Sequence, residues 1–476
     1  MSIKLNKISK KLKNFTKKVF TLRNLKNWLI VLIIFSAIFA IINKFNNNYA
    51  KAIPLIGDEP SYMAIADSLT TFKTFNLYQE QKTEHYVGKF FYHFDLHMVN
   101  VAPGQAYPKH GLAWPILFSP FFYLANNPRL LIMALQNVIV SLLAVNLFLW
   151  LKENKYSFWL ALFIPGVLIF ALPIAVQAHM IFSEPLAALF TIYGLRKWDK
   201  PNVFSVLGIA ILPWVHIKYL AFYPLFIYPY FKFDFRHLLK TKIVKIWPLI
   251  IIGASVIGLA IFNHYAYGTI FSGQEKSSSF FNSYQGLLGI LINREDGLLT
   301  SAPIYLLSFL GLGALFFKNR KTFYQVVYCV GVLWFITGIF ESWSGGQGPS
   351  GRMILVTLPI LAPALAEVMV LPFKWIFRGI FALLWVPTLI LAVNGIWRPV
   401  TTINKPLYPN LNIIPQLMGW KFDLEKYFPD VHKLGWNLNL MWLLIFIGLF
   451  ILGLVLAKYR KQAEKIYEAI DYNSGL

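Results

Sequence analysis

The sequence predicts an all-α polytopic membrane protein with about twelve transmembrane helices. Two observations carry that expectation. The 476 residues are 57% hydrophobic and only 14% charged, against about 25% charged in an ordinary soluble domain. The apolar runs are long and continuous, which selects helices over a β-barrel. A net charge of +23 could suggest nucleic acid. Lys and Arg, however, concentrate between apolar runs and at the termini, where membrane topology accounts for them. No nucleic-acid partner is therefore expected. With Cys329 as its one cysteine, the chain forms no intrachain disulfide.

The elements follow in order. Residues 1–26 are basic, with Lys4, Lys7, Lys10, Lys11, Lys13, Lys17, Lys18, Arg23 and Lys26. The run "WLIVLIIFSAIFAII" comes next, and "AKA" at 50–52 resembles a signal-peptide cleavage site. The run exceeds the usual h-region of about 7–15 residues, so it reads as an uncleaved first span over 27–43. Further spans of about 20 residues each are expected near 129–151, 157–176, 180–197, 203–217, 218–231, 246–265, 301–317, 322–340, 353–371, 375–396 and 438–457. The segment "GLAWPILFSPFFYLA" at 111–125 is apolar but short, and it carries Pro115 and Pro120. It reads as a re-entrant or interfacial element.

Charge fixes the orientation. With the N-terminus inside, "KFDFRHLLKTK" at 232–242, "KNRK" at 318–321 and "KYRKQAEK" at 458–465 all fall inside. This is the positive-inside bias, and a shift of one span would reverse it. The chain thus divides into a basic cytoplasmic stretch (1–26), a transmembrane module (27–396), an external loop (397–437), a last span (438–457) and a cytoplasmic tail (458–476). Within the module, 44–128 is the first external loop, and 266–300 also faces outward. The expected location is the cytoplasmic membrane, with both termini in the cytoplasm.

Candidate site residues gather at the outer helix ends. In "IPLIGDEPSYMAIADSL", Asp58 and Glu59 precede a helix opened by Pro60. Tyr62, Ile65, Leu69 and Phe72 give it one apolar stripe, as in an amphipathic helix lying along the membrane surface. The two acids fit a helix cap and equally a catalytic base. "YPKHG" places Lys109 and His110 at the end of the same loop, and Glu184 lies within apolar sequence, where ionisable groups are expensive and usually functional. "PWVHIKYL" puts His216 and Lys218 at an outer turn, and "ESWSGGQGPSGR" puts Arg352 after a glycine-rich loop. That loop lacks a phosphate-loop pattern and reads as a tight turn. Glu295 and Asp296 in "REDGLLTSAP" read as a solvated loop. Lys218 and Arg352 also fit simple snorkelling to lipid headgroups.

These motifs together resemble a family. "GDEPSYMAIADSL" after a first span is similar to the GT-C-fold glycosyltransferases, in particular the dolichyl-phosphate-mannose–protein mannosyltransferase-like and aminoarabinose-transferase-like group. "FSEPLAAL", "NHYAYGTIFSG", "GLLTSAPIYLLSFLGL" and "WSGGQGPSGRMILVTLPILAPALA" resemble later stretches of that group in the same order. "YPKHGLAWP" stands where some members carry Lys-Pro-Pro, and Glu184 stands where Asp is commoner.

The resemblance implies transfer of a sugar from a polyprenyl-phosphate donor, as co-substrate, to an extracytoplasmic acceptor, with inversion in a single displacement. It implies Asp58 as base, Glu59 as a second carboxylate that orients the acceptor, and Glu184 as a positioning group. Lys109, His110, His216, Lys218 and Arg352 would bind the donor phosphate. The physical chemistry agrees. A phosphate leaving group needs cations, and an acceptor hydroxyl needs a carboxylate base. No cofactor is assigned, although Asp58 and Glu59 could ligate a divalent metal. A transporter or flippase of lipid-linked saccharides would also use many spans, but it would show related halves with broken helices at matching positions, and no such repeat is visible. A polymerase or ligase using a diphosphate-linked donor shares the chemistry and stays open.

Overall fold

The computed structural model describes residues 29–42, 55–90, 96–231, 246–271, 285–346, 348–397, 423–431 and 436–474. Most of the described chain is helical, and one two-stranded hairpin is its only sheet. Among the described residues, four helices are long and apolar enough to cross a membrane: Arg129–Glu153, Trp247–Tyr267, Lys374–Trp397 and Asn437–Gln462. This is a membrane protein. Five more apolar helices are shorter: Leu29–Ile42, Phe158–Ile169, Val203–Val215, Pro303–Lys318 and Pro359–Val368.

In chain order, α1 is Leu29–Ile42. The next segment holds α2 (Glu59–Thr71), α3 (Tyr78–Thr83), α4 (His85–Phe90), strands β1 (Met98–Ala102) and β2 (Gln105–Pro108), and α5 (Ala113–Phe118). Then come α6 (Arg129–Glu153), α7 (Phe158–Ile169), α8 (Ile174–Gln177), α9 (Glu184–Arg196), α10 (Val203–Val215), α11 (Tyr223–Phe231) and α12 (Trp247–Tyr267). The last elements are α13 (Gln285–Ile292), α14 (Leu298–Ser301), α15 (Leu307–Lys318), α16 (Arg320–Gly338), α17 (Ala362–Val368), α18 (Lys374–Trp397) and α19 (Trp436–Ser474).

Proline explains much of the fragmentation. Pro359 and Pro363 lack the N–H that a continuous α-helix needs. The expected span 353–371 is accordingly two short 3₁₀ turns, Arg352–Thr357 and Pro359–Leu361, followed by α17. The expected span 157–176 likewise leaves the helix at Phe170 and resumes as α8. The segment 111–125 forms α5 and a 3₁₀ turn over Ser119–Tyr123, consistent with a short element that does not cross the membrane.

Burial sorts the long helices. The apolar window of α6 is 61% buried, against 17% for α12, 28% for α18 and 17% for α19. So α6 is an inner helix, and the other three turn apolar faces outward, through Ile257 and Ile261, Leu383 and Val386, and Leu444 and Val455. Such faces suit lipid, which leaves van der Waals packing to hold helices together. The close pair is α15 with α19. A Cβ on Gly453 would lie 2.0 Å from the Leu310 carbonyl oxygen, so glycine is what lets these backbones touch. At the far end of that pair, Arg460 donates to the buried Glu367, whose other carboxylate oxygen accepts from Tyr156 Oη at 2.6 Å.

Two features of the segment between α1 and α6 differ from the sequence expectation. The helix α2 is not a surface helix with one apolar stripe. Every residue from Glu59 to Ser68 is buried, including Ser61, Asp67 and Ser68, because α5 and the Ser119–Tyr123 turn cover it. In addition, residues read as loop form the hairpin, with Met98 opposite Pro108 and Val99 opposite Tyr107.

Glycine packing gives a test with opposite signs. Gly453→Ala is expected to lower the unfolding temperature in detergent, because overpacking costs about 1–3 kcal/mol. Gly448, on the same helix, has open space where its Cβ would go. Gly448→Ala is expected to hold or raise that temperature, since Ala is favoured over Gly in helices by about 0.8–1.0 kcal/mol. Destabilisation of equal size in both variants would contradict the close contact.

Candidate active site

The chain places two acids side by side at the start of α2, and the fold sends them apart. Asp58 occupies the N-cap position, yet its side chain makes no capping bond. Glu59 binds backbone instead. Its Oε2 accepts from Ile56 N–H at 3.0 Å and its Oε1 from Ile181 N–H at 2.7 Å, with Arg129 Nη2 at 4.0 Å. Burial pushes the Glu59 carboxyl up, and Arg129 and the two N–H groups oppose that push. Glu59 therefore fastens the start of α2 to the segment before α9.

Asp58 reaches across the molecule. Its Oδ2 accepts from Arg352 Nη2 at 2.7 Å, and its Oδ1 lies 3.7 Å from His97 Nδ1 and 3.8 Å from His110 Nε2. Burial alone would raise the Asp58 pKa. The Arg352 guanidinium, followed by His110 and His97, overrides it and holds the carboxyl down at about 2. For a group lowered in this way, the stabilisation is present above the ordinary carboxylate value and is lost as pH falls toward 2.

Each partner is delivered by identifiable sequence. Arg352 follows the glycine-rich run. A Cβ on Gly348 would sit 2.3 Å from Arg352 Cδ, so the run is a cradle for this side chain rather than only a tight turn. The guanidinium packs over the Phe182 ring at 4.9 Å. The hairpin sets His97 beside His110, with Nδ1 and Nε2 3.0 Å apart, and Lys109 N–H donates to the His97 carbonyl at 2.9 Å. Burial lowers His110 to about 4, more than the nearby Asp58 raises it, so it is neutral at pH 7. The Tyr62 ring lies tilted against His110, with centroids 5.2 Å apart, and its hydroxyl pairs with Ser183 Oγ at 3.0 Å.

Glu184 opens α9 and is buried. Its Oε2 has no hydrogen-bond partner among the described residues. The Lys218 ammonium donates to the Met353 carbonyl at 3.1 Å, directly beside Arg352. His216 Nδ1 accepts from Lys218 N–H at 3.2 Å, which makes it part of the turn. A small open cleft lies next to this group, with Lys109, His110, His216, Trp214, Phe262 and Tyr267 among its walls. Gly111 permits it: a Cβ there would lie 2.0 Å from the Val215 carbonyl, so the loop abuts the end of α10.

The structure thus gathers Asp58, His110, Arg352, Glu184, His216, Lys218 and Lys109 into one region, with Glu59 turned to backbone. His97, Tyr62, Ser183 and Phe182 were not among the expected site residues. His97 was legible in principle, because "MVNVA" and "QAYP" flank "PG" as hairpin strands do. Asp296 corrects the reading of a solvated loop. It is buried beside Asn293, whereas Glu295 is exposed. A divalent cation would find ligand atoms of Asp58, His97 and His110 within 4.8 Å of one another. Glu59 is not in that group; its two carboxylate oxygens accept from the Ile56 and Ile181 N–H groups.

The ion pair makes a stability prediction. Removing one partner of a buried pair leaves an uncompensated charge, at about 3–5 kcal/mol. Arg352→Met is expected to cost that much at pH 7, and Asp58→Asn with Arg352→Met distinctly less than the sum of the single changes. Additive losses in chemical or thermal unfolding would mean that the contact is not coupled. No family model matches the chain, and no curated protein or solved structure was found similar to it.

Proposed function

We propose that this chain is a membrane glycosyltransferase of the GT-C type, which moves one sugar from a polyprenyl-phosphate donor to an extracytoplasmic acceptor. The proposal includes the finer topology: about twelve passes, both termini in the cytoplasm, and the Asp58 region on the outer face of the cytoplasmic membrane. The observation that supports it best is that Asp58 holds a cap position yet commits its carboxylate to Arg352, beside an aromatic-walled cleft.

The geometry suggests how such a reaction runs. The donor phosphodiester is an anion and competes with Asp58 for Arg352. When Arg352 turns to the phosphate, the burial of Asp58 loses its main opponent, and the carboxylate becomes more basic. The acceptor hydroxyl then attacks the anomeric carbon and gives its proton to Asp58. The bond from that carbon to the phosphate oxygen breaks, and polyprenyl phosphate leaves with the electron pair. Arg352 and Lys218 stabilise the charge that develops on it. His110, neutral at pH 7, serves by hydrogen bonding rather than by charge. Glu184 offers an open carboxylate oxygen to a sugar hydroxyl, and Lys109 stands in the cleft wall. Glu59 orients the region by holding the start of α2.

Reconstitution with radiolabelled polyprenyl-phosphate sugars tests the reading directly, with released polyprenyl phosphate as the readout. Asp58→Asn is expected to lower turnover by about 10²–10⁴-fold while donor binding persists. A variant within tenfold of wild type, assayed at a temperature where it stays folded, would remove Asp58 as the base. A transporter would show flux without transfer in either background.

The pH dependence adds a second check. The acid limb of kcat/KM reports the free enzyme and that of kcat the bound enzyme. Activity falls as Asp58 gains its proton, so the kcat limb is expected at higher pH than the kcat/KM limb. Coincident limbs would show that Arg352 stays with Asp58 throughout.

A further inference from the structure

A second cluster of ionisable side chains lies away from Asp58, in the same segment between α1 and α6. It draws one residue from each of three helices: Asp67 from α2, Glu80 from α3 and His85 from α4. Asp67 and Glu80 are completely buried, and the His85 side chain is about one-third exposed. His85 Nδ1 lies 2.9 Å from Asp67 Oδ2 and 4.0 Å from Glu80 Oε1. One potential ligand atom from each residue falls within 4.8 Å of the other two.

We propose that Asp67, Glu80 and His85 form a binding site for a divalent transition-metal cation of the zinc class, which clamps α2, α3 and α4 together. The donor set fits such a cation. Zinc takes imidazole nitrogen and carboxylate oxygen at about 2.0–2.2 Å in a tetrahedron, which spaces ligand atoms about 3.4 Å apart. The observed separations of 2.9 and 4.0 Å bracket that edge. Two buried carboxylates this close repel when both are ionised, and a divalent cation between them removes the repulsion. A proton on His85 Nδ1 reaches only the nearer of the two.

The surroundings hold the ligands in place. Thr71 Oγ1 donates to Asp67 Oδ1 at 3.0 Å, which leaves Oδ2 facing His85. Such outer hydrogen bonds orient ligating carboxylates. Phe72 meets the His85 ring edge-on at 5.6 Å. The site is separate from the Asp58 region. Asp67 stands nine residues further along the chain, about 13 Å at 1.5 Å per residue. A cation there would act on the fold of that segment, not on the reacting atoms.

The full-length protein, purified in detergent and stripped with chelator, provides the test. Calorimetric titration with Zn²⁺ and metal analysis after desalting are expected to show one tightly held equivalent, with a raised unfolding temperature. Binding should tighten with rising pH, because the metal displaces the imidazole proton. Asp67→Asn and His85→Gln are each expected to lose that equivalent, and Asp58→Asn to keep it. His85 is partly exposed, so His85→Gln serves even where Asp67→Asn folds poorly. No retained metal in the wild type overturns the proposal. So does an equivalent that survives in His85→Gln, or one that is lost in Asp58→Asn, which would place the cation with His97 and His110.

Discussion

One largely buried ion pair, Asp58 with Arg352, organises the region around the start of α2. The two residues are 294 positions apart in sequence. Bringing them within 2.7 Å commits four other pieces of chain. Glu59 ties the start of α2 to the backbone at Ile181. The hairpin carries His97 and His110 to the far carboxylate oxygen. Gly348 clears the path of the Arg352 side chain, and Phe182 supports its guanidinium. A buried carboxylate without a cation would take up a proton, so the pair decides the charge of the site as well as its shape. That accounts for an N-cap aspartate that does not cap.

The bilayer imposes the second constraint. Lipid offers no hydrogen bonds, so ionisable groups collect at helix ends and pair there. The helix α9 shows the pattern. It begins at the buried Glu184 and ends at Arg196, which pairs with Glu153 at 2.7 Å. Those ends are about 18 Å apart at 1.5 Å per residue. Apolar residues such as Leu186, Ala187, Ala188 and Ile192 fill the distance between. Near the far end of the bundle, Glu367 with Tyr156 and Arg460 makes a second buried network, which anchors α19 where it leaves the apolar layer.

Much of this was legible in the sequence, and the failures have physical reasons. Apolar runs located the long helices well, since Arg129–Glu153 and Lys374–Trp397 need little beyond hydropathy to be found. Runs rich in proline were overread as single spans, as at 353–371, because apolarity sets burial whereas proline sets whether a helix continues. The stripe Tyr62, Ile65, Leu69 and Phe72 suggested a one-sided helix, but periodicity does not reveal how many neighbours cover the other side. Depth was the best guide to this cluster: Glu184 stood out as a charge in apolar sequence, whereas Arg352 was marked only by the glycine-rich run before it. Partners could not be read, because the Asp58–Arg352 contact joins distant segments and no local pattern encodes it. His97 was missed for a related reason. Its place depends on hairpin register, and the hairpin was read as loop.

The central claim is that Arg352 keeps Asp58 ionised until an anionic ligand draws it away. Infrared titration of the Asp58 carboxylate measures this, as the difference between wild type and Asp58→Asn, with and without polyprenyl phosphate. Without ligand, the carboxylate band should persist to about pH 2, the value that Arg352, His110 and His97 impose against burial. With ligand, its midpoint should move to higher pH. A midpoint that stays put or falls when polyprenyl phosphate is added would contradict the account.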